Sequence, residues 1–444
     1  VTILRLAWLL RKAGDVRAFL VGATAYALVT ALLLITLSGG WAFLGWADEM
    51  AGAYQMLACV ALVLLVVPLA YLGAAAARLS ARAQDRRLST LRLVGATGPQ
   101  VAGVTVLGAA GEALVGALAG TALAAALTPL VGLVPFRGAP LGAALWMPAW
   151  LVAAVVAGVV LLGAASAVAG LRRVLVTPLG VRTRNAVPVP SWARLVIAFA
   201  LVVIGISVTQ STGAIGELLG TAGVFVAILG VFLAVLVAIN ALGPWVLKVW
   251  GRKRVAKAST PHALLAARTV LDDPQATWRQ VSGAAMAGVV AVVGGVGAAL
   301  SNGIPGDANA ADALLGADIM TGVIVTLIIA FAGVAGTALV SQAATVLDRE
   351  ELGRALDAMG IPAGLTAKAR VAGLLQPLIL VLLVGIGATA VMLFPLAGLA
   401  LLASPTTVAV VLLVCGAGVL CVWGAARLAG RVARPADVAR MSAL

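Results

Sequence analysis

Of the 444 residues, 63% are hydrophobic and only 10% charged, against roughly 25% charged in a soluble globular domain, so water cannot be the main solvent. The net charge of +14 does not point to nucleic acid, because the basic residues form clusters separated by apolar runs rather than one contiguous groove. A single histidine, His262, and three cysteines, Cys59, Cys415 and Cys421, each inside an apolar run, argue against a disulfide framework and against a metal or nucleophilic centre built from His and Cys.

The pattern predicts an all-α polytopic membrane protein with about ten transmembrane helices. The first covers about 18–39, behind a basic amphipathic stretch at 4–17. It exceeds a signal-peptide core in length, so a retained helix is expected. Further spans are predicted near 53–77, 103–128, 149–170, 195–212, 220–247, 281–301, 319–345, 371–396 and 405–426.

Every Lys and Arg except Arg137 lies at 5–17, 78–92, 172–194, 248–279, 349–370 or 427–440, in alternate gaps between spans. The positive-inside rule then predicts a plasma-membrane protein with both termini cytoplasmic. The opposite gaps carry Asp48, Glu49, Glu217, Asp307, Asp312 and Asp318. Trp41, Trp46, Trp146 and Trp150 are expected as outer interface anchors, with Trp192, Trp245, Trp250 and Trp278 as inner ones. The outer loops are short, the longest running roughly 302–318, which leaves no room for a folded domain of ~50 residues. Membrane lipid is therefore the expected surroundings of any outer recognition.

Two cytoplasmic loops share one design. ARLSARAQDRRLSTLRLVGATGPQV at 77–101 and ATVLDREELGRALDAMGIPAGLT at 344–366 each extend an apolar helix into charged, helix-favouring sequence that stops at a glycine, Gly95 or Gly360. In the second, Leu352, Leu356 and Met359 share one face, with Glu350, Arg354 and Asp357 opposite. The order of elements around both loops also recurs, with amphipathic lead-ins at 4–17 and 263–279. This predicts two parallel four-helix repeats, 1–180 and 256–444, joined by a linker and two-helix hairpin at 181–255.

Glu112 is the only ionisable side chain placed within a predicted span. An intramembrane charge costs ~2.5–3.5 kcal/mol on insertion scales, so such a residue faces protein or water. It either contacts substrate or a proton, or bonds a neighbouring helix; the lack of a relay partner favours the second. Gly116 and Gly120 form a GxxxG one turn on, which fits close helix packing.

The stretch LRLVGATGPQV at 91–101, the glutamate that follows it and the closing TPLGVR at 177–182 resemble the FtsX/MacB-like permeases of ABC transporters. The layout is similar to the ten-span, bacitracin-exporter-like branch, though without that family's large extracellular domain. The resemblance implies that the two loops are coupling helices for cytoplasmic ABC ATPase subunits, two per permease chain. Arg86, Leu88, Leu91, Arg92, Gly95, Ala96 and Thr97 would make the first contact, and Glu350, Glu351, Arg354, Leu356, Met359 and Gly360 the second. Glu112 occupies the family's glutamate position, whereas Gln376 or Pro377 stands near it in the second copy, where Ile361 and Pro362 replace Ala-Thr. No GxxxxGK[ST] occurs in the chain, so ATP and Mg would be bound by the partner, and no enzyme activity or cofactor is expected here.

The function implied is ATP-driven export or extraction of a hydrophobic or amphipathic molecule such as a lipid, a lipophilic antibiotic or an antimicrobial peptide. The alternative is a signalling or scaffold protein of the same architecture that regulates a cell-wall enzyme or sensor. An ion-coupled secondary transporter would need paired intramembrane polar groups, and only Glu112 is expected.

Overall fold

The computed structural model describes residues 16–48, 50–93, 98–176, 211–303, 310–348, 359–360, 363–393 and 404–432, with scattered positions at 196–208 and 398–402. In chain order the helices are α1 (Val16–Leu44), α2 (Ala51–Leu93), α3 (Gly98–Gly132), α4 (Ala149–Val176), α5 (Thr212–Ala256), α6 (Pro261–Asp272), α7 (Pro274–Gly303), α8 (Ala310–Asp348), α9 (Ala363–Met392) and α10 (Pro405–Val432). Between α3 and α4, strands β1 (Pro135–Phe136) and β2 (Ala139–Pro140) pair antiparallel, followed by a 3₁₀ turn at Gly142–Leu145.

Among the described residues, nine helices are long and apolar enough to cross a membrane. The chain is thus an all-α multi-pass membrane protein, and these nine match nine of the predicted spans. The span predicted at 195–212 falls mostly outside the described residues, although Val196, Ala200, Val203, Ile204, Ser207 and Val208 are helical. The structure corrects the loop predicted at 302–318. Helix α7 runs to Gly303 and α8 starts at Ala310, so Asp312 and Asp318 are helical, and Asp318 is buried at 6% exposure. Asp318 is therefore a second acid inside a span, where Glu112 was expected alone.

Two compact units divide the chain: Val1–Leu62 with Leu69–Pro190, and Val63–Pro68 with Ser191–Leu444. Both have interiors rich in alanine, while Leu161, Trp150, Leu413 and Leu420 point outward and exposed. A soluble protein would reverse this arrangement. In lipid the bulky side chains lose nothing by facing acyl chains, and small residues let helix backbones approach closely enough for dispersion to hold them.

In the first unit α1 and α3 run side by side in the same direction. A Cβ on Gly116 would lie 2.5 Å from the Ala23 carbonyl oxygen, and one on Gly120 would lie 2.4 Å from that of Ala27. Helix α4 closes over them, with Gly163 against Ala113 and the Tyr26 hydroxyl. In the second unit α7 packs on α9 through a joint of the same kind. A Cβ on Gly385 would meet the Ala285 carbonyl oxygen at 2.4 Å, and one on Gly288 would meet that of Leu382 at 2.8 Å.

Helix α7 begins where Asp273 caps it. The Asp273 carboxylate accepts from the Ala276 amide at 2.8 Å, Pro274 fills the first helical position, and a cap of this type contributes ~1 kcal/mol. The lead-in predicted at 263–279 is therefore two helices meeting at Asp273. The first of them, α6, buries Ala266, Ala267 and Val270. Trp278, expected as an interface anchor, is instead buried against Gly243 of α5, and its indole donates to Asn240 Oδ1 at 3.1 Å.

Candidate functional site

Helix α2 is continuous for 43 residues, a length of ~64 Å at the α-helical rise, about twice the hydrocarbon thickness of a bilayer. It ends at Leu93, two residues before Gly95, so the charged segment is one with the apolar span. Arg86, Leu88, Leu91 and Arg92 occupy its last turns, and their side chains lie outside the described part of the structure. Gly95, Ala96, Thr97, Glu350, Glu351, Arg354 and Leu356 lie outside the described residues. At the end of the second loop Met359 is 67% exposed. Gly360 follows with φ +77°, the left-handed conformation in which glycine stops helices at little cost.

Glu112 lies inside the first unit at 5% exposure. Ser80 of α2 donates to its Oε2 at 2.8 Å. Its Oε1 lies over Gly22 of α1, in the space where any Cβ would stand. Tyr26, one turn further along α1, is fully buried. The carboxyl thus ties three helices together, and the missing side chain at residue 22 is what makes room for it. Nothing in the local sequence signals Ser80, Gly22 or Tyr26 as its neighbours, because the three lie 32 to 90 positions away and only packing unites them. In the second unit the joint between α7 and α8 carries an amide pair, Gln342 donating to Gln280 at a long 3.5 Å. Gln376 does not share such a cluster; it lines a cleft with His262, Lys368, Arg370 and Arg427. Among the described residues no three of His, Cys, Asp and Glu gather closely enough to hold a metal.

Arg137, the one basic residue outside the alternating clusters, stands at the turn between β1 and β2. It has φ +56° beside Gly138 at φ +75°, the paired positive angles of a tight hairpin. Its guanidinium forms a two-pronged bond with Asp48, Nη2 to Oδ1 at 2.7 Å. It also lies 4.3 Å from the Trp46 ring centroid and 4.6 Å from that of Tyr54. Phe43 packs edge-on to Trp46 and Phe136, with centroids 4.9 and 5.0 Å away. The α1–α2 turn is thereby fastened to the α3–α4 hairpin. A positive charge neutralised and covered by rings is a smaller breach of the charge asymmetry than a bare one.

The bond from Arg137 holds the Asp48 carboxyl below the usual carboxylate range. A depressed folded value means that this fastening is fully present above the ordinary pKa of about 4 and is lost as pH falls through the folded value. Because Asp48 is exposed, the contribution is small. We expect the Phe136 and Ala139 amides, paired across the hairpin and corrected for intrinsic exchange, to keep their protection from pH 7 to 5 and lose it only below about pH 4. Arg137→Gln should leave them unprotected throughout. Loss of protection between pH 6 and 5 in the unaltered chain would contradict this.

Compared with known proteins, the chain matches no family model, and no curated protein or solved structure matches it significantly.

Proposed function

We propose that the chain is the permease subunit of an ABC transporter of the mechanotransmission type. Separate cytoplasmic ATPase subunits, one at each charged loop, would drive export or extraction of a hydrophobic or amphipathic molecule. The observation that carries this reading is the continuity of α2 through its apolar span into the charged segment ending before Gly95. A helix that crosses the bilayer and protrudes from it can transmit a push without a hinge of loop to absorb it. Its counterpart α8 is 39 residues long, and Gly360, twelve positions beyond its end, has the left-handed conformation.

The parallel repeat gains support from the two glycine joints. Ala23 with Gly116 and Ala285 with Gly385 join the first and third helices of each proposed repeat through the same backbone approach. Orientation with both termini inside rests on the clustering of Lys and Arg, and the covered, paired Arg137 removes its one awkward residue. The turns at the opposite end are short, which favours a ligand that partitions into the membrane over a soluble polar one.

The test is at the second loop. Leu356→Asp with Met359→Asp should abolish stimulation of the partner ATPase while the chain still inserts in the membrane, because a charged face cannot enter an apolar cleft on the partner. Unchanged coupled ATPase activity in that double variant would remove the docking assignment.

A further inference from the structure

Beside the transport reading, and independently of it, the ends of α6, α9 and α10 in the second unit form an open cleft of about 640 Å³, a size common among small-molecule sites. We infer that this cleft binds a phosphoryl anion, presented as the headgroup of an anionic phospholipid.

Lys368 and Arg370 of α9 and Arg427 of α10 line the cleft with His262 of α6. Among the described residues, no carboxylate lines it. Like charges brought to one concavity repel, and an anion between them reverses the sign of that interaction. Arg427 is not a loose surface charge, since its guanidinium lies 3.7 Å from the Trp423 ring centroid, which fixes the fork in place.

The apolar span of α9 starts at Gly364 and that of α10 ends at Ala429, so the cations stand at the level where a bilayer changes from hydrocarbon to headgroup. Gln376 and Leu375 continue the lining along α9 toward the apolar interior, offering a hydrogen-bonding group and then a greasy wall. A cleft that is cationic at its mouth and apolar beyond suits a molecule with a phosphate attached to acyl chains. Basic pockets between membrane helices take phospholipid headgroups on this principle.

The experiment is equilibrium binding of fluorescent phosphatidylglycerol to the full chain in phosphatidylcholine nanodiscs. Lys368→Gln and Arg427→Gln should each weaken binding about fivefold, and together about twenty-five-fold. Both side chains are exposed, so neither change opens a hole in the core. The charge-preserving pair Lys368→Arg with Arg427→Lys should retain most of the affinity. Arg252→Gln with Lys257→Gln removes equal charge near the end of α5, outside the cleft lining, and should leave binding unchanged. Equal weakening in that control pair, or no weakening in the cleft variants, overturns the site. A competition arm separates the sources. Insensitivity to millimolar inorganic phosphate supports the lipid, whereas displacement by it keeps the phosphoryl site and overturns the lipid assignment.

Discussion

Gly116→Val and Gly385→Val should each prevent recovery of a folded, monodisperse protein, whereas Gly111→Val and Gly387→Val should be tolerated. All four sit in membrane helices of similar composition, so hydropathy alone predicts four similar outcomes. The difference lies in what a side chain would meet. At Gly116 a Cβ falls 2.5 Å from the Ala23 carbonyl oxygen and 2.6 Å from Tyr26 Cβ, and at Gly385 it falls 2.4 Å from the Ala285 carbonyl oxygen. At Gly111 and Gly387 nothing lies within 4 Å. Because the atoms met are backbone, no rotamer change relieves the clash, and the two helices must separate along their whole contact. Overpacking of a core costs about 1–3 kcal/mol even where side chains can adjust, so these joints should exceed the upper end. Thermal unfolding and size-exclusion profiles in one detergent provide the measurement. Normal profiles for Gly116→Val would mean that α1 and α3 do not approach as described.

The second large effect is expected at Glu112. Glu112→Leu removes the carboxylate acceptor of the Ser80 hydroxyl, and losing a buried bond of this kind costs about 1–3 kcal/mol. It also places a branched carbon group over Gly22, where the flat carboxyl fitted. Glu112→Gln keeps an oxygen for Ser80 and nearly the same shape, and should lower the unfolding temperature less. Since the two residues share this bond, Ser80→Ala introduced into Glu112→Leu should recover part of the loss, a non-additivity that independent sites do not show. A Glu112→Leu variant with unaltered stability but a changed ligand range would instead assign the carboxyl to transport.

The features legible in the sequence were those encoded locally. Apolar run length located nine of the spans, and the charged continuation of 77–93 foretold the extension of α2, because helix propensity and hydropathy act residue by residue. What escaped was set by packing between distant segments. Gly116 and Gly120 are recognisable as a motif, but the similar backbone approach at Gly385 is not, since Gly385 sits four residues beyond the place a strict alignment of Gly95 with Gly360 would assign to Gly116. That is about one helical turn, which preserves the facing side while hiding the match. The cost of acids in lipid puts Asp318 in a loop on the sequence alone, but that cost falls away where protein surrounds the group. Arg137 breaks the charge pattern of the sequence, and only the fold shows that Asp48, Trp46 and Tyr54 surround it.

The length of α2 has a mechanical corollary. Pro68 removes one rung of the helix's hydrogen-bond ladder, and the 25 residues from there to Leu93 make an arm of ~37 Å. A swing of about 5° at the proline carries the tip through roughly 3 Å, the width of a water molecule. Motion too small to disturb side-chain packing near the fulcrum becomes, at the far end of the arm, a displacement large enough to make or break a contact.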